Sequence, residues 1–189
     1  CTLHNVPRIT DVQRLIDLLS SCGVSFEWMG DHDLRIISRD AHVQTLDHKL
    51  FASLRGSILL LGSLLARFRT MDIPEPGGDL IGNRPIDTHL SALQQFGATI
   101  ERTNGTYHLA TPHGLSGAEV ILPEFSVTAT ENALMTAVAA KGKSVIKIAA
   151  AEPHVADLIA FLQTMGARIE GAGTHTLIVH GGERLKGAE

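Results

Sequence analysis

Cysteine is nearly missing from this sequence: the two present, Cys1 and Cys22, fall in no metal-binding or disulfide spacing. That excludes a disulfide framework and a thiolate metal centre, and suggests a reducing compartment. Aromatic residues are scarce at 4%, and positive charge is not in excess, the net charge being −4. Nucleic-acid surfaces need basic patches and stacking platforms, and anionic membrane surfaces need basic stretches, so neither nucleic acid nor membrane is an expected partner. An anionic ligand must instead be held by a local cationic cluster. The longest apolar run, "SILLLGSLLARF" (57–68), falls short of the ~20 residues that span a bilayer. The opening "CTLHNVPRIT" is not a signal peptide. The expected location is the cytoplasm. What remains is an ordinary globular composition, 44% hydrophobic over 189 residues, enough for one large domain or two small ones.

What the sequence does have is a repeat. "ITDVQRLIDLLSSCGVSF" (9–26), "NRPIDTHLSALQQFGATI" (83–100) and "EPHVADLIAFLQTMGARI" (152–169) align without a gap. Val12, Ile86 and Val155 coincide, as do Ile16, Leu90 and Ile159, Leu19, Leu93 and Leu162, and Gly23, Gly97 and Gly166. The i, i+4, i+7 spacing predicts an amphipathic helix, the glycine a left-handed residue just past its end. A hairpin should follow each time: "VSFEWMG" with "DLRIIS", "ATIERTN" with "TYHLAT", "ARIEGAG" with "THTLIVHG".

More shared structure lies upstream of the second and third copies. Strands are expected at "HVQTL" (42–46) and "AEVILP" (118–123), and buried helices over 48–68 and 128–141. Short strands, "MDIPE" and "SVIKIAA", come next. The unit is therefore βαβαββ, with units over 1–40 (incomplete), 41–114 and 115–189. The expected class is α/β (α+β), repeated units packed around inner helices. The first unit lacks its strand and inner helix, so the chain reads as a fragment with an apolar groove where that helix belongs.

Because structural positions should agree between repeats, disagreements are informative. Arg84 aligns with Thr10 and Pro153 at a helix start. A cation there opposes the helix dipole by roughly 0.3–1 kcal/mol, unless an anion arrives; otherwise Arg84 is a solvated cap. His89 replaces Leu15 and Leu158, and is either a satisfied core histidine or, close to Arg84 and Asp87, a ligand-facing one. The connection "PEPGGDLIGN" carries Gly77, Gly78 and Gly82 around Asp79. It reads as a flexible turn or as a lid bearing a general acid. Arg55 sits inside the apolar run, where a lone guanidinium is costly to bury; it should emerge near a helix end or meet an anion. "EFSVTATEN" (124–132) reads as an N-cap with outward hydroxyls and N–H groups.

"LRGSILLLGSLLARF", "PGGDLIGNRPIDTHL", "FSVTATEN" and "AAAEPHVADLIAFLQTMGA", in this order and spacing, resemble bacterial UDP-N-acetylglucosamine enolpyruvyl transferases over nearly the whole chain. The resemblance implies most of the N-terminal catalytic-half domain, with a missing second domain as its partner across the active site. It implies transfer of the enolpyruvyl group of phosphoenolpyruvate to the 3′-hydroxyl of UDP-N-acetylglucosamine with release of phosphate, the first committed step of peptidoglycan synthesis. No cofactor and no metal are expected. Asp79 matches the lid proton donor, usually a cysteine; the thiol is what fosfomycin-type epoxides alkylate, so the resemblance implies insensitivity here. Some members carry aspartate at this position naturally. Arg55 and Arg84 match arginines that contact phosphoenolpyruvate and the sugar nucleotide. Arg84, Pro85, Ile86, Asp87 and Thr88 match the segment that holds the uridine diphosphate, with His89 beside it. Glu124, Phe125, Ser126 and Val127 match a second nucleotide-contacting segment, where Glu124 replaces the usual basic residue.

Three other readings stand beside this one. They are the sister enzyme acting on shikimate 3-phosphate, a nucleotide-sugar-binding module without catalysis, and an RNA-processing cyclase with related repeats. The acidic net charge counts against the last. With one domain absent, the chain alone is expected to be inactive.

Overall fold

A computed structural model describes residues 1–75 and 85–189 of the chain. The elements run β1 (Thr2–Leu3), α1 (Thr10–Ser21), β2 (Ser25–Trp28), β3 (Leu34–Ile37), α2 (His48–Ser53), a 3-10 segment (Arg55–Leu59) and α3 (Leu60–Phe68). They continue with β4 (Thr70–Pro74), α4 (Asp87–Gln95), β5 (Thr99–Thr103), β6 (Thr106–Ala110) and β7 (Glu119–Ile121). The last are α5 (Val127–Ala139), β8 (Gly142–Lys147), α6 (Pro153–Thr164), β9 (Arg168–Glu170) and β10 (Thr176–Gly181).

All three expected hairpins are present, and each joins its sheet in the same way. The strand orders are β1-β3-β2, β4-β6-β5 and β7-β8-β10-β9. In every sheet the strand preceding the amphipathic helix pairs antiparallel with the last strand of the hairpin. The third sheet adds β7, parallel to β8. Gly23, Gly97 and Gly166, just past α1, α4 and α6, have φ of +76°, +98° and +102°. Glycine adopts this region without the steric cost that a Cβ brings, which lets the chain turn from helix into strand.

Two expectations fail. Residues 42–46 form no strand. Their backbone is tied instead to the end of α1: His42 N–H donates to Cys22 O, and Leu46 N–H closes a turn on Val43 O. The Thr45 hydroxyl donates to Ser21 O. These contacts hold the segment in a turn against α1 rather than in an extended strand. The helix expected over 48–68 is broken in two by an extended Leu54 (φ −122°, ψ 117°) and the 3-10 segment. Arg55-Gly56-Ser57 combines a poor helix former with a serine that competes for backbone carbonyls. The Ser57 hydroxyl lies 2.8 Å from Phe51 O and 2.7 Å from Leu54 O, satisfying the end of α2. The apolar pattern survives the break: Phe51, Ile58, Leu61 and Leu65 are all fully buried, each worth about 1.5–3 kcal/mol of transfer free energy.

The core has two clusters, one around α2 and α3, the other around α5. Helices α3 and α5 pack directly against each other. Helix α1 lies on α2 and the 3-10 segment, and α4 lies on α5. Outer helices α1 and α4 thus pack on the inner helix of the following repeat, whereas α6 packs on α5 of its own. Helix α6 comes last, and its Leu158 and Phe161 line an open apolar groove of about 690 Å³ with Ala66 of α3 and Met135 of α5. Among the described residues, no helix is long and apolar enough to cross a membrane.

Candidate functional site

The break at Leu54 places Arg55 at the first residue of the 3-10 segment, half-buried rather than inside a helix. Its Nη2 lies 3.4 Å from Pro85 O, at the approach to α4. Arg55, Gly56 and Ile58 form one wall of a cavity of about 450 Å³. Pro85, Thr88 and His89 form the second wall, and Glu124, Ser126 and Thr128 at the start of α5 form the third. Three segments far apart in sequence therefore meet around a guanidinium and several hydroxyls.

Within the segments 85–88 and 124–128, side chains divide. Ile86 is the N-cap of α4 and is 4% exposed, packed in the core. Asp87, exposed in the first turn of α4, lines a separate cavity of about 370 Å³ with Arg102 and Tyr107. The Thr88 hydroxyl donates to Glu124 Oε1 at 2.9 Å, joining α4 to the start of α5. Ser126 caps α5 by accepting from Ala129 N–H at 3.3 Å. Phe125 is 64% exposed and stands edge-on to His175, ring centroids 4.7 Å apart. Val127 packs against the α5 core cluster. Asp79 and Arg84 lie outside the described residues. The helix itself begins at Asp87 rather than at the repeat-aligned position 84, so the dipole argument made for Arg84 loses its premise. The first helical turn carries the acid that a helix start favours.

His89 is 3% exposed. The core reading and the ligand-facing reading meet in it, because it is buried and yet borders the cavity. Its Nδ1 lies 2.9 Å from Asn132 Nδ2, and its Nε2 lies 3.2 Å from the Thr128 hydroxyl. Asn132 is fully buried in α5. Its Nδ2 also donates to Ile58 O at 2.8 Å, and its Oδ1 accepts from Gly62 N–H at 2.9 Å. Burial, and then the Arg55 charge, lower the His89 pKa to about 4, so the ring is neutral at physiological pH.

That depression has a consequence for stability. Between pH 6.5, the ordinary histidine value, and about 4, the unfolded chain binds a proton that the folded chain excludes. Stability contributed by the neutral ring is therefore lost as pH falls through this window, by about 2–3 kcal/mol. Burial raises the Glu131 pKa, which acts in the opposite sense, so the test is a difference. Urea unfolding at pH 7 and pH 4.5 should show a steeper loss for the wild type than for His89→Gln. Equal losses would mean that His89 does not resist protonation.

The sequence reading singles out neither Gly56 nor Ile58, and takes Thr128 and Asn132 only as part of the capping run 124–132. A polar Asn132 directly before the apolar run "ALMTAVAA" (133–140) is the available signal, since buried amides must find partners. Among the described residues, no group of three or more His, Cys, Asp or Glu is placed to bind a metal ion.

Comparison with known proteins places this architecture. The sequence pattern of EPSP synthase (3-phosphoshikimate 1-carboxyvinyltransferase) matches residues 1–189. The UDP-N-acetylglucosamine 1-carboxyvinyltransferase of Bradyrhizobium diazoefficiens is 49% identical over 180 residues, 95% of this chain and 41% of that protein. That of Gluconobacter oxydans is 44% identical over 186 residues, 98% of this chain and 44% of that protein. The chain thus spans less than half the length of these relatives. The crystal structure of the enolpyruvyl transferase NikO from Streptomyces tendae superimposes with a TM-score of 0.80 at 22% identity, over 95% of this chain and 42% of that one. An EPSP synthase from Acinetobacter baumannii superimposes with a TM-score of 0.70 at 21% identity, over 98% of this chain and 43% of that one. Repeated units, pattern and relatives agree: the chain belongs to the EPSP synthase family of enolpyruvyl (1-carboxyvinyl) transferases.

Proposed function

We propose that the protein carrying this chain transfers the enolpyruvyl group of phosphoenolpyruvate to the 3′-hydroxyl of UDP-N-acetylglucosamine. The observation that carries this reading is the Arg55 cavity, whose three walls come from the segments singled out by resemblance. The names of relatives 42–49% identical to this chain support the acceptor. In the proposed reaction, the hydroxyl gives up its proton to a base and its oxygen adds to C2 of phosphoenolpyruvate, while a general acid protonates the methylene carbon. Loss of that proton and of phosphate from the tetrahedral intermediate completes the transfer. Asp79 is the proposed acid, and Arg55 and Arg84 are the proposed anion contacts. This would be the first committed step of peptidoglycan synthesis, in the cytoplasm.

The chain contributes one domain of three units (1–40, 41–114 and 115–189) in this proposal, and a second domain closes the site. Turnover needs both domains.

Calorimetry on the full-length protein tests the acceptor. Arg55→Ala should weaken UDP-N-acetylglucosamine binding by about 1.5–3 kcal/mol, the usual worth of a charge-assisted hydrogen bond. Turnover with shikimate 3-phosphate and none with UDP-N-acetylglucosamine would transfer the assignment to the sister enzyme. Binding of the nucleotide sugar without phosphate release would leave a binding module.

A further inference from the structure

The site described so far is walled by side chains that face the cavity, but one residue behind the wall has a more defined geometry than any of them. Asn132 is fully buried, and its carboxamide has a fixed orientation. Its Oδ1 accepts from Gly62 N–H, and its two Nδ2 hydrogens go to Ile58 O and His89 Nδ1. A flipped amide would set oxygen against the Ile58 carbonyl and NH2 against the Gly62 N–H. With Asn132 donating, His89 Nδ1 must be the acceptor and the ring proton must sit on Nε2. That Nε2–H points at the Thr128 hydroxyl oxygen, 3.2 Å away. Thr128 accepts there, so its own hydroxyl proton is available to the cavity that it lines with Arg55 and Ser126.

We propose that Asn132 is a positioning residue: by fixing the Nε2–H tautomer of His89, it makes Thr128 a hydrogen-bond donor to an oxygen of the ligand in the Arg55 cavity. The donor complements Arg55 and suits a phosphoryl or carbonyl oxygen, whereas Glu124, on the same wall as Thr128, is an acceptor already engaged by Thr88. The relay links the second repeat to the third. It runs from the 3-10 segment and α3 through α5 to α4, then back to the first turn of α5. Reversal of any one donor would propagate to the cavity. The ligand half of this inference rests on the nucleotide-sugar reading; the tautomer half does not.

The test uses the full-length protein labelled with 15N in its histidine rings. In the wild type, the His89 Nδ1 resonance should be that of an unprotonated ring nitrogen and Nε2 that of a protonated one. Asn132→Asp places a carboxylate against Nδ1, which should draw the proton there and turn Nε2 into an acceptor. The Thr128 proton is then committed to the ring. Asn132→Asp and Thr128→Val should each weaken UDP-N-acetylglucosamine binding about tenfold, and Thr128→Ser should stay within about twofold of wild type. A merely structural Asn132 would change stability without moving the ring proton. An Nδ1–H tautomer in the wild type, or undiminished binding by Thr128→Val, overturns the proposal. If Asn132→Asp does not fold, the wild-type tautomer and the Thr128 pair decide. If the wild type does not bind the nucleotide sugar at all, the substrate reading fails, and the tautomer alone decides the role of Asn132.

Discussion

Replacing Asp79 by asparagine in the full-length protein should reduce turnover at least about a hundredfold, the lower end of what a positioned general acid contributes. In the proposed reaction, the methylene carbon of phosphoenolpyruvate must gain a proton as the sugar hydroxyl adds. A carboxylic acid supplies one; a carboxamide of the same shape does not. Residues 76–84 lie outside the described structure, but the chain resumes at Pro85 on the wall of the Arg55 cavity. Asp79→Cys should retain turnover and become sensitive to fosfomycin-type epoxides, because a thiolate opens the epoxide readily and a carboxylate is the weaker nucleophile. Cys22 does not offer a substitute thiol: it is fully buried at the end of α1, and burial raises its pKa. Phosphate release and time-dependent inactivation are the measurements. Full activity of Asp79→Asn, or irreversible inactivation of the wild type by the epoxide, would remove Asp79 from the proposed role.

Gly62→Val should destabilise the fold by about 3 kcal/mol or more, beyond the usual range for an overpacked core, because the clash is with main chain. A Cβ at Gly62 would lie 2.5 Å from the Thr136 hydroxyl and 2.6 Å from Asn132 O. The hydroxyl can rotate, but the carbonyl belongs to α5 and moves only with the helix. Separating α3 from α5 would also stretch the 2.9 Å bond from Gly62 N–H to Asn132. The substitution therefore reaches the His89 relay from behind. Chemical unfolding gives the stability, and the histidine 15N spectrum shows whether the relay has opened. An unchanged unfolding midpoint would show that the helices tolerate the extra volume, contrary to their spacing here.

Much of the architecture was legible in the sequence, because short-range patterning produces it. The stripes of α1, α4 and α6, the glycines that end them and the hairpins that follow each depend on residues a few places apart. Repetition made those patterns readable three times over. The family was legible too, through segments such as "FSVTATEN" whose residues line one cavity wall. The inner helix of the second unit was misread, because apolar character says that a segment is buried and not that it is continuous. Ser57 decided that by competing for the carbonyls of Phe51 and Leu54. The strand expected at 42–46 failed for a similar reason, since His42 N–H and the Thr45 hydroxyl found partners at the end of α1 that no local pattern announces. His89 was ambiguous in sequence because core and ligand-facing histidines carry the same side chain. Only the tertiary structure gave its two nitrogens different partners, Asn132 on one side and Thr128 on the other. Composition and period thus determined which faces are buried and where the chain turns. The choice of donors and acceptors around the cavity belonged to the packed structure, because a hydrogen bond between residues 43 positions apart exists only once their helices touch.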